Sequence, residues 1–157
     1  MNKLSKLIYL TSLMSLCALS VASCSAKQAD IDISLLSSEL NESGIFSETL
    51  SDISQPIMEK RYGIEEGQIA EFKAGAGTKA VVDEYAIIKL SSPDAKENVE
   101  NGIKSHIESQ KNSYSSYRPD EVPKLDDYVL ISSGDYEIFV VSENSTKAKE
   151  IIDKYIK

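Results

Sequence analysis

The chain has 157 residues, with 17 Lys and Arg against 25 Asp and Glu, a formal charge of −8 and no Trp. An acidic chain with no basic stripe is repelled by phosphate backbones, which excludes nucleic acid as a partner. The length suits one domain with its own core, and two cysteines, Cys17 and Cys24, cannot furnish a thiolate metal set.

In chain order, residues 1–23 read as a lipoprotein signal peptide that is removed. Lys3 and Lys6 form a positive start, and Leu7 to Ala22 carries no charge. A membrane span needs ~20 mostly apolar residues, so this run has the length of an export signal rather than of a span. It ends in Val21-Ala22-Ser23-Cys24, an aliphatic residue and two small ones before a thiol, the pattern at which a lipoprotein signal is cut. Cys24 is therefore the expected lipid attachment site, carrying diacylglycerol and, as a further acyl chain, palmitate. Cys17 follows the bulky Leu16 and is read as apolar filler lost with the leader. Two acyl chains hold a protein stably on a bilayer where one does so marginally. Residues 24–29 are a short tether, reaching at most ~20 Å when extended. Residues 30–157 form a single α+β domain beside the membrane. Loss of Lys3 and Lys6 takes the charge from −8 to −10.

Within the domain, Asp30 to Asn41 reads as a helix on Ile31, Leu35, Leu36 and Leu40, ending before Gly44. Ile45 to Ile53 has no clear period and reads as irregular. Gln55-Pro56 opens a short helix, because Pro suits a first turn, and Gly63 ends it. Ile69 to Ala74 is a strand, Gly75-Ala76-Gly77-Thr78 a turn, and Val81 to Leu90 the strongest strand, apolar on both faces and hence central. Ser92-Pro93-Asp94 starts a long helix with Val99, Ile103 and Ile107 on one stripe, expected to end by Asn112. Ser113 to Asp126 reads as a connection. Tyr128 to Ser132 and Tyr136 to Ser142 flank Ser133-Gly134 as a hairpin, and Ser145 to Tyr155 is a last amphipathic helix. The expected fold is α+β: an antiparallel four-stranded sheet with helices packed on one face, in the order α-α-β-β-α-β-β-α.

Several of these pieces together resemble a known family. They are the Cys24 motif, Arg61-Tyr62-Gly63-Ile64, Val82-Asp83-Glu84-Tyr85-Ala86-Ile87-Ile88-Lys89, the run from Tyr117-Arg118-Pro119 to Leu125, and Gly134-Asp135-Tyr136-Glu137-Ile138-Phe139-Val140-Val141-Ser142. The order is similar to that of small exported lipoproteins of Gram-positive bacteria grouped as domain of unknown function 4358, from roughly Ile31 to the C-terminus. The resemblance brings no activity, ligand or catalytic residue with it.

The chemistry-bearing residues are few. Gly75-Ala76-Gly77-Thr78-Lys79 lacks the spacing of a phosphate loop, and a strand follows it where a helix N-terminus is needed. His106, the single histidine, lies at the edge of the long helix's apolar stripe. A hydrolytic role would need a nucleophile and an orienting acid within reach. Asp83-Glu84 and Asp126-Asp127 precede strands and read as solvated strand-end charges. Without a calcium-loop spacing they give no metal site. Tyr114, Tyr117 and Arg118, gathered after the long helix, form the candidate binding patch, because aromatics and Arg are enriched at interface cores. No cofactor is expected.

The sequence thus points to a lipid-anchored extracytoplasmic bacterial lipoprotein on the outer face of the cytoplasmic membrane. It is expected to be a non-catalytic binding or accessory module, whose partner is an envelope protein or a small solute. The alternative is a cell-envelope hydrolase acting on peptide or glycan, built on convergent carboxylates or on His106 beside a serine.

Overall fold

The computed structural model describes residues 30–156. The expected signal peptide, Cys24 and the expected tether lie outside the described residues. No described helix is long and apolar enough to cross a membrane.

Five α-helices and five strands are present among the described residues. Helix α1 spans Ile33–Glu42 and begins where Asp32 Oδ1 accepts the amides of Ser34 (3.1 Å) and Leu35 (3.0 Å). That cap satisfies two of the donors a helix start leaves open. Leu36 and Leu40 face inward, whereas Leu35, expected on the packed face, is 60% exposed. Strand β1 is the two-residue piece Ser51–Asp52, and helix α2 spans Gln55–Tyr62. Gly63 closes α2 with φ of 62°, a left-handed position that glycine takes without steric cost. Strands β2 (Ile69–Ala76) and β3 (Glu84–Leu90) precede the long helix α3 (Ala95–Tyr117). A 3₁₀ turn at Pro119–Glu121 leads into the short helix α4 (Val122–Asp126). The hairpin β4 (Val129–Ser133) and β5 (Tyr136–Val141) turns at Gly134, and helix α5 (Ser145–Ile152) follows, capped by Asn144.

The sheet is antiparallel throughout, in the order β1-β2-β3-β5-β4. The expected class, helices with one antiparallel sheet, is present, with three corrections. There are five strands, not four: β1 forms inside the stretch read as irregular, pairing Ser51 with Ala76 and Asp52 with Gly75. Gly75 and Ala76 consequently belong to a strand, and the turn begins at Gly77. The helices also cover both faces, not one. On one face α2, α3 and α4 pack Met58, Val99, Ile103, Ile107 and Leu125 against Ala86, Ile88 and Phe139. On the other, α1 and α5 pack Leu36, Leu40, Ala148 and Ile152 against Tyr85, Ile87, Ile138 and Val140. A central strand with apolar side chains on both sides needs a cover on both sides. Finally, the connection expected over 113–126 is mostly helical: α3 continues to Tyr117 and α4 takes up five residues more.

Candidate functional site

The site is built around Glu84, the first residue of β3. Side chains on a strand alternate between faces, so Glu84 shares a face with Ala86, Ile88 and Leu90 and is carried into the core beneath α2 and α3. Only 1% of Glu84 is exposed. A carboxylate buried to this degree requires compensating donors, and three converge on it. Arg61 Nη1, from the last turn of α2, donates to Oε2 at 2.8 Å. The hydroxyl of Tyr62 donates to the same oxygen at 3.4 Å. His106 Nε2, from α3, donates to Oε1 at 2.7 Å. The His106 ring also meets Tyr62 edge to face, with centroids 5.1 Å apart. Burial, and then the Glu84 charge, push the Tyr62 phenol well up, so it stays protonated as a donor.

Gly102 makes this convergence possible. A Cβ at Gly102 would lie 1.8 Å from the carbonyl oxygen of Tyr62, so only glycine lets α3 approach the C-terminal end of α2 this closely. That contact sets Arg61 and Tyr62 from one helix opposite His106 from the other.

Glu84, Arg61 and His106 line the inner end of a cleft of about 370 Å³, a size that holds a small solute. Its outer wall is the loop 77–83 with Tyr114 and Tyr117. These tyrosines hold the loop by its carbonyls. Tyr114 donates to Lys79 O (3.0 Å) and Val81 O (2.9 Å), and Tyr117 donates to Lys79 O (2.6 Å). Arg118 Nη1 donates to Ala80 O at 2.7 Å. Burial and the neighbouring Tyr117 push the Tyr114 phenol up. All three residues of the sequence-derived patch therefore grip one loop. Tyr114 and Tyr117 also line the cleft, and Arg118 lies behind it, paired with Asp120 at 2.9 Å.

A second ionic cluster fixes the back of the loop. Asp83 Oδ2 accepts the amide of Ser47 (2.8 Å), and Glu121 Oε2 accepts the amide of Val82 (3.0 Å). Lys124 Nζ lies 3.4 Å from Asp83 and 3.1 Å from Glu121. Burial works against the Lys124 ammonium, but its bond to Glu121 and the charge of Asp83 outweigh it, and its pKa is raised. The expected solvated strand-end acids are thus corrected at Asp83 and Glu84, both of which are buried. Asp126 and Asp127 do not join them: Asp126 pairs with Lys111 at 3.0 Å, and Asp127 accepts from Ser145. No group of three metal-ligating side chains occurs among the described residues.

Of this cluster the sequence singles out His106 and the Asp83-Glu84 pair but gives Arg61 no role. The available signal was parity: Glu84 occupies a core-facing position of the strand read as central, and a buried acid implies a cation facing it.

The family model described as Domain of unknown function (DUF4358) matches residues 43–142. That span begins after α1 and ends before α5, so the resemblance expected from Ile31 onward is confirmed over a shorter range, one that contains every residue of the cleft. No curated protein and no solved structure matches the chain. With more than half of its length matched, including the sheet and the Glu84 cluster, the chain belongs to the domain of unknown function 4358 family.

Proposed function

We propose that this protein is a lipid-anchored extracytoplasmic binding or accessory module, held by Cys24 on the outer face of the cytoplasmic membrane and without catalysis of its own. The single observation that carries the binding role is the cleft, floored by a buried carboxylate whose two oxygens are already taken by Arg61, Tyr62 and His106. A charged cluster of this kind costs desolvation to bury and is a weak source of stability. Its use is to hold the Arg61 side chain at a fixed place in a concave surface. The anchor reading rests on the leader, from Lys3 to the small residues before Cys24.

Four measurements test this reading, two for the anchor and two for the binding role. Intact-mass analysis of protein from membranes should show diacylglycerol on Cys24, and Cys24→Ala should release the protein on washing. Crosslinking in cells should return defined membrane neighbours, or solute screening should raise the melting temperature. Unmodified Cys24, or neither neighbours nor solute, overturns the proposal.

The hydrolase reading draws on the His106–Glu84 pair, which supplies a base and its orienting acid. Among the described residues the hydrogen bonds of His106 run to Glu84 and to no hydroxyl. Turnover of envelope peptide or glycan that His106→Gln abolishes would establish that reading instead.

A further inference from the structure

We propose that the cleft binds a small monocarboxylate, gripped by the free edge of Arg61; this rests on the binding-module reading above. Glu84 already accepts from three donors and is buried, so it gives an arriving ligand little acceptor surface to reach. What the floor offers are donors. Arg61 uses Nη1 on Glu84, and among the described residues its hydrogen bonds go nowhere else. Nε and Nη2 remain, and these two form the side-on fork of the guanidinium, whose parallel N–H bonds match the two oxygens of a carboxylate. The Arg61 side chain is 28% exposed, reachable by a ligand yet held in place. Binding to a pre-positioned donor avoids the cost of ordering it.

Charge limits the ligand to one negative unit. Arg61 and Lys79 carry two positive charges into the lining, Glu84 carries one negative, and Asp83 is answered by Lys124. Among the lining side chains the surplus is one positive charge, on a chain of net −8 and with the Glu48 carboxylate beside them, accepting from Thr78. A dianion would bring a second negative charge beside Glu84 without a partner. The rest of the lining is mixed: Val81, Tyr114 and Tyr117 supply apolar and aromatic surface, and Thr78, Gln110 and Ser113 supply polar groups. The two tyrosine rings lie 4.9 Å apart. A carboxylate with a short apolar or amide-bearing body, of amino-acid to dipeptide size, meets both halves of a 370 Å³ cleft.

The test is calorimetric titration of the full chain, purified from membranes in detergent, against N-acetylalanine, N-acetyltyrosine, their C-terminal amides and inorganic phosphate. The carboxylates should bind and the amides should bind at least tenfold more weakly, with phosphate no tighter than the carboxylates. Arg61→Lys keeps the charge beside Glu84 but removes the fork, and should weaken the carboxylates about tenfold. Lys79→Met, on an exposed loop outside the Glu84 cluster, should weaken them about threefold with an unchanged melting temperature. Equal binding of acid and amide, preference for phosphate, or no effect of either substitution overturns the carboxylate assignment and leaves the binding-module reading standing. If no probe binds, the carboxylate assignment also falls. The binding-module reading falls with it only if crosslinking also finds no neighbour.

Discussion

The two faces of the sheet bury different chemistry. Under α1 and α5 the core is aliphatic and aromatic, and its buried polar contact is the 2.8 Å bond between the hydroxyls of Ser37 and Tyr85. Under α2, α3 and α4 the same sheet buries Glu84 and Glu137. The first face follows hydrophobic patterning alone and could be repacked with other apolar residues at modest cost. The second retains charges that an apolar replacement would render unnecessary for stability. The family match covers the second face and stops short of the helices that build the first. One face serves as the platform and the other carries the site.

Within the charged face, the two glutamates differ again. They lie on one side of the sheet, Glu84 at the start of β3 and Glu137 opposite Ile88 on β5. Glu84 has three donors. Glu137 is fully buried, accepts from Ser132 at 2.7 Å on Oε2, and leaves Oε1 without a hydrogen bond; its nearest cation, Lys96, stands 4.0 Å away. Glu84 thus reads as an anchor for Arg61 and His106, Glu137 as a buried charge compensated only in part.

The largest effect expected on the charged face comes from its tightest contact. Gly102→Ala drives a methyl into the Tyr62 carbonyl, where backbone must move, and should cost about 3 kcal/mol or more. Urea denaturation measures it. A loss under 1 kcal/mol would mean that α2 and α3 can separate freely, and that the Arg61–His106 arrangement is not held by packing.

Next comes Glu84→Gln, which presents an amide N–H₂ to Arg61 or His106 and removes the charge both require. About 3 kcal/mol of stability should be lost, the magnitude seen when one partner of a buried ion pair is removed. The paired substitution Glu137→Gln should act in the opposite direction. Burial raises the Glu137 pKa, with Ser132 opposing. The folded state therefore binds this proton more tightly than the unfolded state. Glu137 is least costly below the unfolded carboxyl pKa of ~4.3, and stability falls as pH rises from there through the folded value. Glu137→Gln should remove that decline, gaining about 1 kcal/mol at pH 7 and nothing below pH ~4. Thermal melts at the two pH values decide it. Destabilisation by both substitutions would erase the distinction between the glutamates and show that Lys96 compensates Glu137 after all.

Much of this was legible in the sequence, and its failures have physical causes. The long helix, the hairpin at Ser133-Gly134, the short helix with Pro56 and Gly63, and the central strand followed from periodicity and caps. Strand β1 was not legible, because two residues set no period and its pairing with Gly75 and Ala76 is a tertiary event. The second helical layer was implied by the two-sided apolar strand Tyr85–Leu90, whose demand for two covers was not carried through. Of the site, Tyr114 and Tyr117 were visible as a cluster and His106 as an edge residue. Glu84 was visible but read as a solvated strand-end charge, and Arg61 was hidden, because their meeting depends on the α2–α3 crossing that Gly102 permits and no local pattern encodes that crossing.

The smallest predicted effect separates the two tyrosines that wall the cleft. Tyr114 is 5% exposed and its hydroxyl is shared between Lys79 O and Val81 O; Tyr117 is 54% exposed and reaches Lys79 O alone. Tyr114→Phe takes the Tyr114 bond from Val81 O and should cost about 1 kcal/mol. Tyr117→Phe leaves Lys79 O with the Tyr114 hydroxyl and with solvent at hand, so a few tenths of a kcal/mol should be lost, within the range of exposed substitutions. Urea denaturation of the two variants gives the ordering, and limited proteolysis within 77–83 reports whether the loop has loosened. Equal losses would place the grip on the solvent side of the loop. The cleft would then be walled by a segment held from outside, and the fixed aromatic surface opposite Arg61 would no longer be a property of the buried face.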